Sequence, residues 1–217
     1  MKILNLYAGI GGNRKLWSNE HEITAIEINP DVASVYSKYY PTDTIIIGDA
    51  HEYLLNNYQN FDFVWASPPC QTHSAMSRVN HKRYNLRRYP DMKLWQEIIF
   101  LKEFFPGKWV VENVKPFYTE LIPFKKIGRH CIWSNFPIGS FEKKNVKNFI
   151  DAKYDDLKKW LGYEDYTEKI YLNGNHDPVQ VLRNCVHPDT GKYILDCALG
   201  VMQKQNIKQV DIFDFIK

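Results

Sequence analysis

Lys2-Ile3-Leu4-Asn5-Leu6-Tyr7-Ala8-Gly9-Ile10-Gly11-Gly12 begins as a strand-like apolar run and ends on closely spaced glycines. Such a turn lets the backbone bend tightly and approach a ligand before the next element starts. Its spacing matches neither the dinucleotide fingerprint nor a phosphate loop with its lysine, so it suits a ligand without a pyrophosphate. Outward from it, β-rich runs alternate with amphipathic stretches, the pattern of βαβ units on a largely parallel sheet. Strands are predicted at Lys2–Tyr7, Ile23–Ile28, Thr44–Ile47, Phe61–Ala66 and Trp109–Val114. Helices are predicted at Asn13–Asn19, Asp31–Tyr39, His51–Asn56 and Met92–Phe105, the second opened by Asn29-Pro30 as cap and first helical position. This order implies an α/β fold with a Rossmann-like, doubly wound, mostly parallel sheet. Ligands on such sheets bind beyond the carboxyl ends of the strands.

The chain of 217 residues, 44% hydrophobic and 24% charged, has enough material for one domain and a small added lobe. We expect a catalytic and cofactor-binding domain over 1–136, an insertion lobe over 137–177 and a segment over 178–217 that returns to the first domain. The lobe mixes Lys143, Lys144, Lys147, Lys153, Lys158 and Lys159 with acids and aromatics and ends in the turn-rich Asn173-Gly174-Asn175-His176-Asp177-Pro178. A last helix is expected from His187-Pro188 toward Met202, followed by a tail that reads as an edge strand or loop. No apolar stretch reaches membrane-spanning length and the start has no signal-like pattern, so a cytoplasmic protein without a membrane partner is expected. Cys70, Cys131, Cys185 and Cys197 lie too far apart for a zinc motif and are expected as free thiols, with no metal. A net charge of +3 permits an anionic partner without requiring one.

Residues just after each strand carry the chemistry. Glu27 can accept hydrogen bonds from both ribose hydroxyls, and Asp49, in Gly48-Asp49-Ala50, can take an adenine amino hydrogen; singly, each acid is more often a helix cap or a solvated loop residue. The fourth strand runs into Ser67-Pro68-Pro69-Cys70-Gln71. The two prolines stiffen this turn and remove donors, so it presents the Cys70 thiol at a set angle. A free cysteine is usually a small buried residue, but this one precedes the polar Gln71-Thr72-His73-Ser74 and reads as a nucleophile. The fifth strand ends in Glu112-Asn113-Val114, where an unpaired charge on a central strand is costly without a task. Cytosine carbon 5 becomes a nucleophile once a thiolate adds at carbon 6, and a carboxyl at N3 assists by withdrawing electrons. That role calls for a Glu112 carboxyl whose pKa is raised by burial against apolar neighbours and a bound base.

Together these residues resemble the cytosine-C5 DNA methyltransferase family: the Ala8-Gly9-Ile10-Gly11-Gly12 turn, Glu27, Asp49, Ser67-Pro68-Pro69-Cys70-Gln71 and Glu112-Asn113-Val114 match its motifs in order. The resemblance implies S-adenosyl-L-methionine as cofactor, held by Tyr7, Ala8, Gly9, Ile10, Gly11, Gly12, Glu27, Ile28, Asp49, Ala50 and Pro68. Asn184 and Val186 join them from Arg183-Asn184-Cys185-Val186, which looks like a variant of the family's Gly-Asn-Ser-Val element. It also implies Cys70, Glu112, Asn113 and Arg129 as the catalytic set, with Asn113 shaping the loop around Glu112. The family's Arg-x-Arg element corresponds here to Arg129-His130-Cys131, which keeps the first arginine and has Cys131 at the second.

Double-stranded DNA is the implied partner. The basic segment after the nucleophile, with Arg78, Lys82, Arg83, Arg87 and Arg88 among tyrosines, fits a mobile loop that meets phosphates and closes over a flipped base. Asn175 and His176 are the candidates for base edges. The recognition lobe is small for the family, so either a short target or a protein partner for recognition is expected. Two other readings keep part of this logic: the same chemistry on tRNA, and a catalytically silent module that grips DNA.

Overall fold

Runs of Ile, Val, Leu and Trp without polar alternation suit strands covered on both faces. A computed structural model of the protein describes residues 1–76, 78, 79, 89–141, 149, 151–172 and 177–201. In it, β1 (Lys2–Leu6), β2 (Glu22–Glu27), β3 (Thr44–Ile47), β4 (Phe63–Ala66) and β5 (Lys108–Val114) pair in parallel. A hairpin of β6 (Lys125–Ile127) and β7 (His130–Ser134) closes one edge, with β7 antiparallel to both β5 and β6. The seven strands lie in the order β3-β2-β1-β4-β5-β7-β6. The direction of winding therefore reverses between β1 and β4, and the loops that follow these two strands diverge and leave a crevice.

The α-helices packed on the sheet and around the cavity are α1 (Pro30–Tyr39), α2 (Ala50–Asn57), α3 (Lys93–Phe104), α4 (Tyr154–Leu161), α5 (Gln180–Arg183) and α6 (Pro188–Ala198), and a 3-10 turn spans Tyr58–Asn60. Asn29 caps α1 by accepting from the backbone N–H groups of Asp31 at 2.9 Å and Val32 at 3.2 Å, ahead of Pro30. His187 opens α6 in the same manner, accepting from Asp189 N at 3.1 Å ahead of Pro188. Strand alternation sends Ile3, Phe63, Trp65 and Val110 to one face of the sheet, where Ile194, Leu195 and Ala198 of α6 cover them. Leu4, Leu6, Val64, Ala66 and Val111 go to the other face, under Leu94, Ile98 and Leu101 of α3. Each fully buried aliphatic side chain contributes about 1.5–3 kcal/mol, so these two layers supply the main cohesion of the sheet. A third cluster joins Ile10, Val32 and Val35 to Leu157, Leu161, Val181 and Leu182, so α4 and α5 share a core with α1.

The strands and most helices lie within two residues of their predicted bounds, but Asn13–Asn19 is a run of turns rather than a helix. Tertiary bonds outbid helix formation there. Asn13 donates to Asn5 Oδ1 in β1 at 2.8 Å, and Arg14 is drawn into the core by Asp43 at 2.8 and 3.0 Å. Asn19 accepts from Arg14 at 2.9 Å. The last helix ends at Ala198, short of the expected Met202, which with the tail lies outside the described residues.

Candidate functional site

The crevice at the reversal point opens into a cavity of about 780 Å³ lined by residues from the carboxyl ends of β1 to β5, the β6–β7 turn and the segment 180–186. After β1 the backbone turns through left-handed conformations at Tyr7 (φ 57°), Gly9 (φ 57°) and Gly11 (φ 81°). For a tyrosine this conformation is strained, and the Tyr7 hydroxyl is anchored on the buried Glu97. A Cβ at Gly9 would meet nothing, so its backbone faces open space. One on Gly12 would lie 2.5 Å from Val186 O and 2.8 Å from Cys185 Cβ. The glycine there allows the 184–186 segment to close one wall of the cavity.

At the end of β2, Glu27 receives Gly9 N at 3.0 Å on one oxygen and Asn29 N at 2.9 Å on the other. Burial pushes its carboxyl up, although these backbone donors work against the shift. Asp49 Oδ1 caps α2 by accepting from Glu52 N at 3.0 Å, and Oδ2 faces Lys93 Nζ at 3.3 Å. The Glu52 N–H, outweighing desolvation and joined by Lys93, holds the Asp49 carboxyl below the usual range. Tyr7, Ala8, Gly9, Gly12, Glu27, Ile28, Asp49, Ala50, Pro68, Asn184 and Val186 all line the cavity. Ile10 and Gly11 do not: Ile10 is buried in the cluster with α4 and α5, and Gly11 backs onto Tyr40. An oriented carboxylate, a glycine cradle and the apolar Ile28, Ala50, Leu94 and Pro68 on the remaining walls fit an adenosyl group.

The other end of the cavity holds Cys70, Glu112, Arg129 and His130. Prolines in the turn after β4 leave the Pro68 carbonyl to be satisfied by a side chain, and Asn113 Nδ2 donates to it at 2.9 Å. Asn113 Oδ1 accepts from Val114 N at 2.9 Å, and Asn113 does not line the cavity. Beyond Cys70 the chain turns, with His73 N and Ser74 N both donating to Cys70 O at 3.0 Å. Burial, and then the Glu112 carboxylate, push the Cys70 thiol up, while Arg129 pulls it back. Glu112 is 6% exposed and His130 Nδ1 is hydrogen-bonded to its Oε1. Burial alone would raise the Glu112 pKa, but His130, then Arg129 and the Ser67 hydroxyl, outweigh it and hold the carboxyl below its ordinary value. This corrects the expectation of apolar neighbours around Glu112: the groups about it are His130, Arg129 and the Ser67 hydroxyl. Arg129 reaches across from the hairpin turn, donating through Nη2 to Arg183 O at 2.9 Å and Cys185 O at 3.1 Å.

Of the proposed DNA-contacting residues, Arg78 is exposed beside Met76, which lines the cavity. Lys82, Arg83, Arg87, Arg88, Asn175 and His176 lie outside the described residues. Among the described residues, no group of three or more His, Cys, Asp and Glu could hold a metal ion, and no helix is long and apolar enough to cross a membrane.

Residues 1–121 match the family of C-5 cytosine-specific DNA methylases. The chain belongs to that family. None of the curated proteins compared with it matches this chain. Among solved structures, a methyltransferase from Entamoeba histolytica, EhMeth, is 14% identical with a TM-score of 0.56 over 93% of this chain and 98% of its own, a likeness of fold. A mutant of DNMT2 from Spodoptera frugiperda is 29% identical with a TM-score of 0.38 over 52% of this chain and 35% of its own. An RNA methyltransferase from Salinibacter ruber, in complex with S-adenosyl-L-homocysteine, is 15% identical with a TM-score of 0.36 over 61% of this chain and 78% of its own. The cofactor of this C-5 methylase is S-adenosylmethionine.

In this methylase the side chain that meets Glu112 from the neighbouring strand is His130, a residue not singled out from sequence. The pairing of β5 with β7 sets Cys131 opposite Asn113, and Cys131 packs with Trp133 and Trp95 in the core. Strand alternation therefore turns Cys131 away from the cavity and His130 toward it. The signal lay in Ile127-Gly128-Arg129-His130, where a turn at Gly128 (φ 57°) makes a hairpin and determines which residues of β7 face the site.

Proposed function

We propose that the protein transfers the methyl group of S-adenosylmethionine to carbon 5 of cytosine in double-stranded DNA through a covalent adduct on Cys70. The observation that carries this reading is that Cys70 and Glu112, from the ends of adjacent strands, line one cavity with the Glu27 and glycine-turn residues that fit the cofactor. The bound cofactor supplies an electrophilic methyl group. Cys70 loses its proton to water, and its sulfur bonds to carbon 6 of a base rotated into the cavity. Arg129 favours the thiolate. Glu112, once protonated, donates at N3, and neutralising it also removes the carboxylate that opposes Cys70 ionisation. Asn113 keeps the Pro68–Cys70 turn in place. After carbon 5 has been methylated, loss of its proton and expulsion of the sulfur release Cys70.

The 1–136 portion is proposed as the catalytic domain, and 137–177 as the reduced recognition lobe. Arg78 and the basic residues that follow it are proposed to contact phosphates. Transfer of labelled methyl groups to mixed-sequence duplex DNA, compared with tRNA, tests the substrate. Incorporation into DNA by the wild type and none by Cys70→Ser is expected. Preferential labelling of tRNA would move the reading to RNA.

A further inference from the structure

Glu112 has to deliver a proton at N3, yet its surroundings hold it as a carboxylate. Both Glu112 and His130 are buried, both line the main cavity, and His130 Nδ1 is bonded to Glu112 Oε1. The imidazole also borders a second cavity of about 10 Å³ with His187, Trp160 and Thr190, which has room for about one water. Among the described residues, the charged and titratable groups around it are Glu112 from β5, Cys70 from the turn after β4, Arg129 beside it in the hairpin, and His187 at the start of α6. His187 accepts from Asp189 N through Nδ1 at 3.1 Å, so its Nε2 carries the proton it gives to Trp160 O at 2.8 Å.

We propose that His130 is a positioning residue that supplies Glu112 with the proton it gives to cytosine N3. The proposal rests on the carbon-5 reading above. His130 enters as the imidazolium, ion-paired with the Glu112 carboxylate. When a base covers the pair and removes the remaining water, the neutral form becomes favoured, because two buried charges lose more solvation than their attraction returns. The Nδ1 proton passes to the Glu112 carboxylate, leaving neutral imidazole and a neutral carboxyl. As the Cys70 sulfur–carbon 6 bond forms, the C5–C6 π pair moves to C4–C5 and the C4–N3 π pair becomes a lone pair on N3. That lone pair takes the carboxyl proton and Glu112 is a carboxylate again. When carbon 5 bonds to the methyl carbon, the C4–C5 π pair forms that bond and the N3 lone pair restores C4–N3 with N3 still protonated; loss of the C5 proton then rebuilds C5–C6 as the C6–S pair leaves on Cys70, and N3 returns its proton through Glu112 to His130.

The test is the pH profile of covalent trapping on duplex DNA containing 5-fluorocytosine, with S-adenosylmethionine present. Wild type is expected to give a bell: the rate rises as Cys70 ionises and falls as the hydrogen-bonded Glu112–His130 pair gives up the proton it holds. His130→Asn keeps an N–H toward Glu112 but cannot titrate. It should leave cofactor affinity unchanged, lower the maximal rate by roughly 100-fold, the low end of a general-acid contribution, and move the falling limb to lower pH, where a carboxyl without the imidazole loses its proton. In a Glu112→Gln background the same substitution should cost nothing further. A wild-type profile without a falling limb overturns the proposal, whether or not the variant folds. So does a His130→Asn enzyme with the wild-type rate and limb. Absence of trapping by wild type at every pH would instead count against the carbon-5 chemistry itself.

Discussion

Cys70 and Glu112 are two acids whose charges oppose each other, so the ionisation of one sets the readiness of the other. Because the Glu112 carboxylate is among the causes that push the Cys70 thiol up, Glu112→Gln should shift the pH profile of Cys70 alkylation by iodoacetamide to lower pH. An unchanged profile, or a shift upward, would show that the two groups are not coupled. The reaction should be selective, because Cys131, Cys185 and Cys197 are buried and the first two are pushed up to about 12. Glu27 tests the cofactor end: Glu27→Ala should weaken S-adenosylmethionine by about 1–3 kcal/mol, the scale of charge-assisted hydrogen bonds, with unchanged affinity by calorimetry refuting its role. Residue types single these positions out because a carboxylate on an apolar strand is costly without a task and a thiol after two prolines is presented at a set angle. The protonation state of Glu112 was not legible, since it depends on His130, which lies 18 residues away in the chain.

At the scale of elements, strand periodicity located β1 to β5 and the proline-capped helices, whose signals are local. It missed the β6–β7 hairpin, whose short strands carry little periodic signal and are held by pairing with β5. It also read a helix into 13–19, where buried side-chain bonds of Asn13 and Arg14 override a weak local preference. That segment is pressed against α6: a Cβ at Gly191 would come within 2.2 Å of Asn13 O and 2.6 Å of Asn13 Cα. Gly191→Ala must therefore displace backbone and should destabilise the protein by about 1–3 kcal/mol. It should also weaken cofactor binding, because the shift moves the glycine turn against the 184–186 wall. A melting temperature and cofactor affinity equal to wild type would show that α6 does not brace the site.

For the whole molecule, the order of strands places every proposed reacting group at one end of the sheet, and the reversal between β1 and β4 explains why the cavity lies there. Recognition is where size matters. Each good bidentate base contact supplies only about 1–3 kcal/mol of discrimination, and much of 137–177 is committed to the core that α4 shares with α1. The purified protein is therefore expected to modify a short or degenerate site of roughly two to four base pairs, the number a few such contacts can specify. Bisulfite sequencing of a plasmid methylated in a methylation-deficient host checks this, and modification confined to one site of six or more base pairs would contradict it. The central claim, cytosine carbon-5 methylation through Cys70, is tested most directly by incubating the protein with S-adenosylmethionine and duplex DNA carrying 5-fluorocytosine, then mapping any denaturation-resistant adduct by peptide mass spectrometry. One methylated nucleotide attached to the peptide containing Cys70 is expected, and none with Cys70→Ser; DNA that binds without forming an adduct, or an adduct on another residue, would rule out Cys70 as the nucleophile.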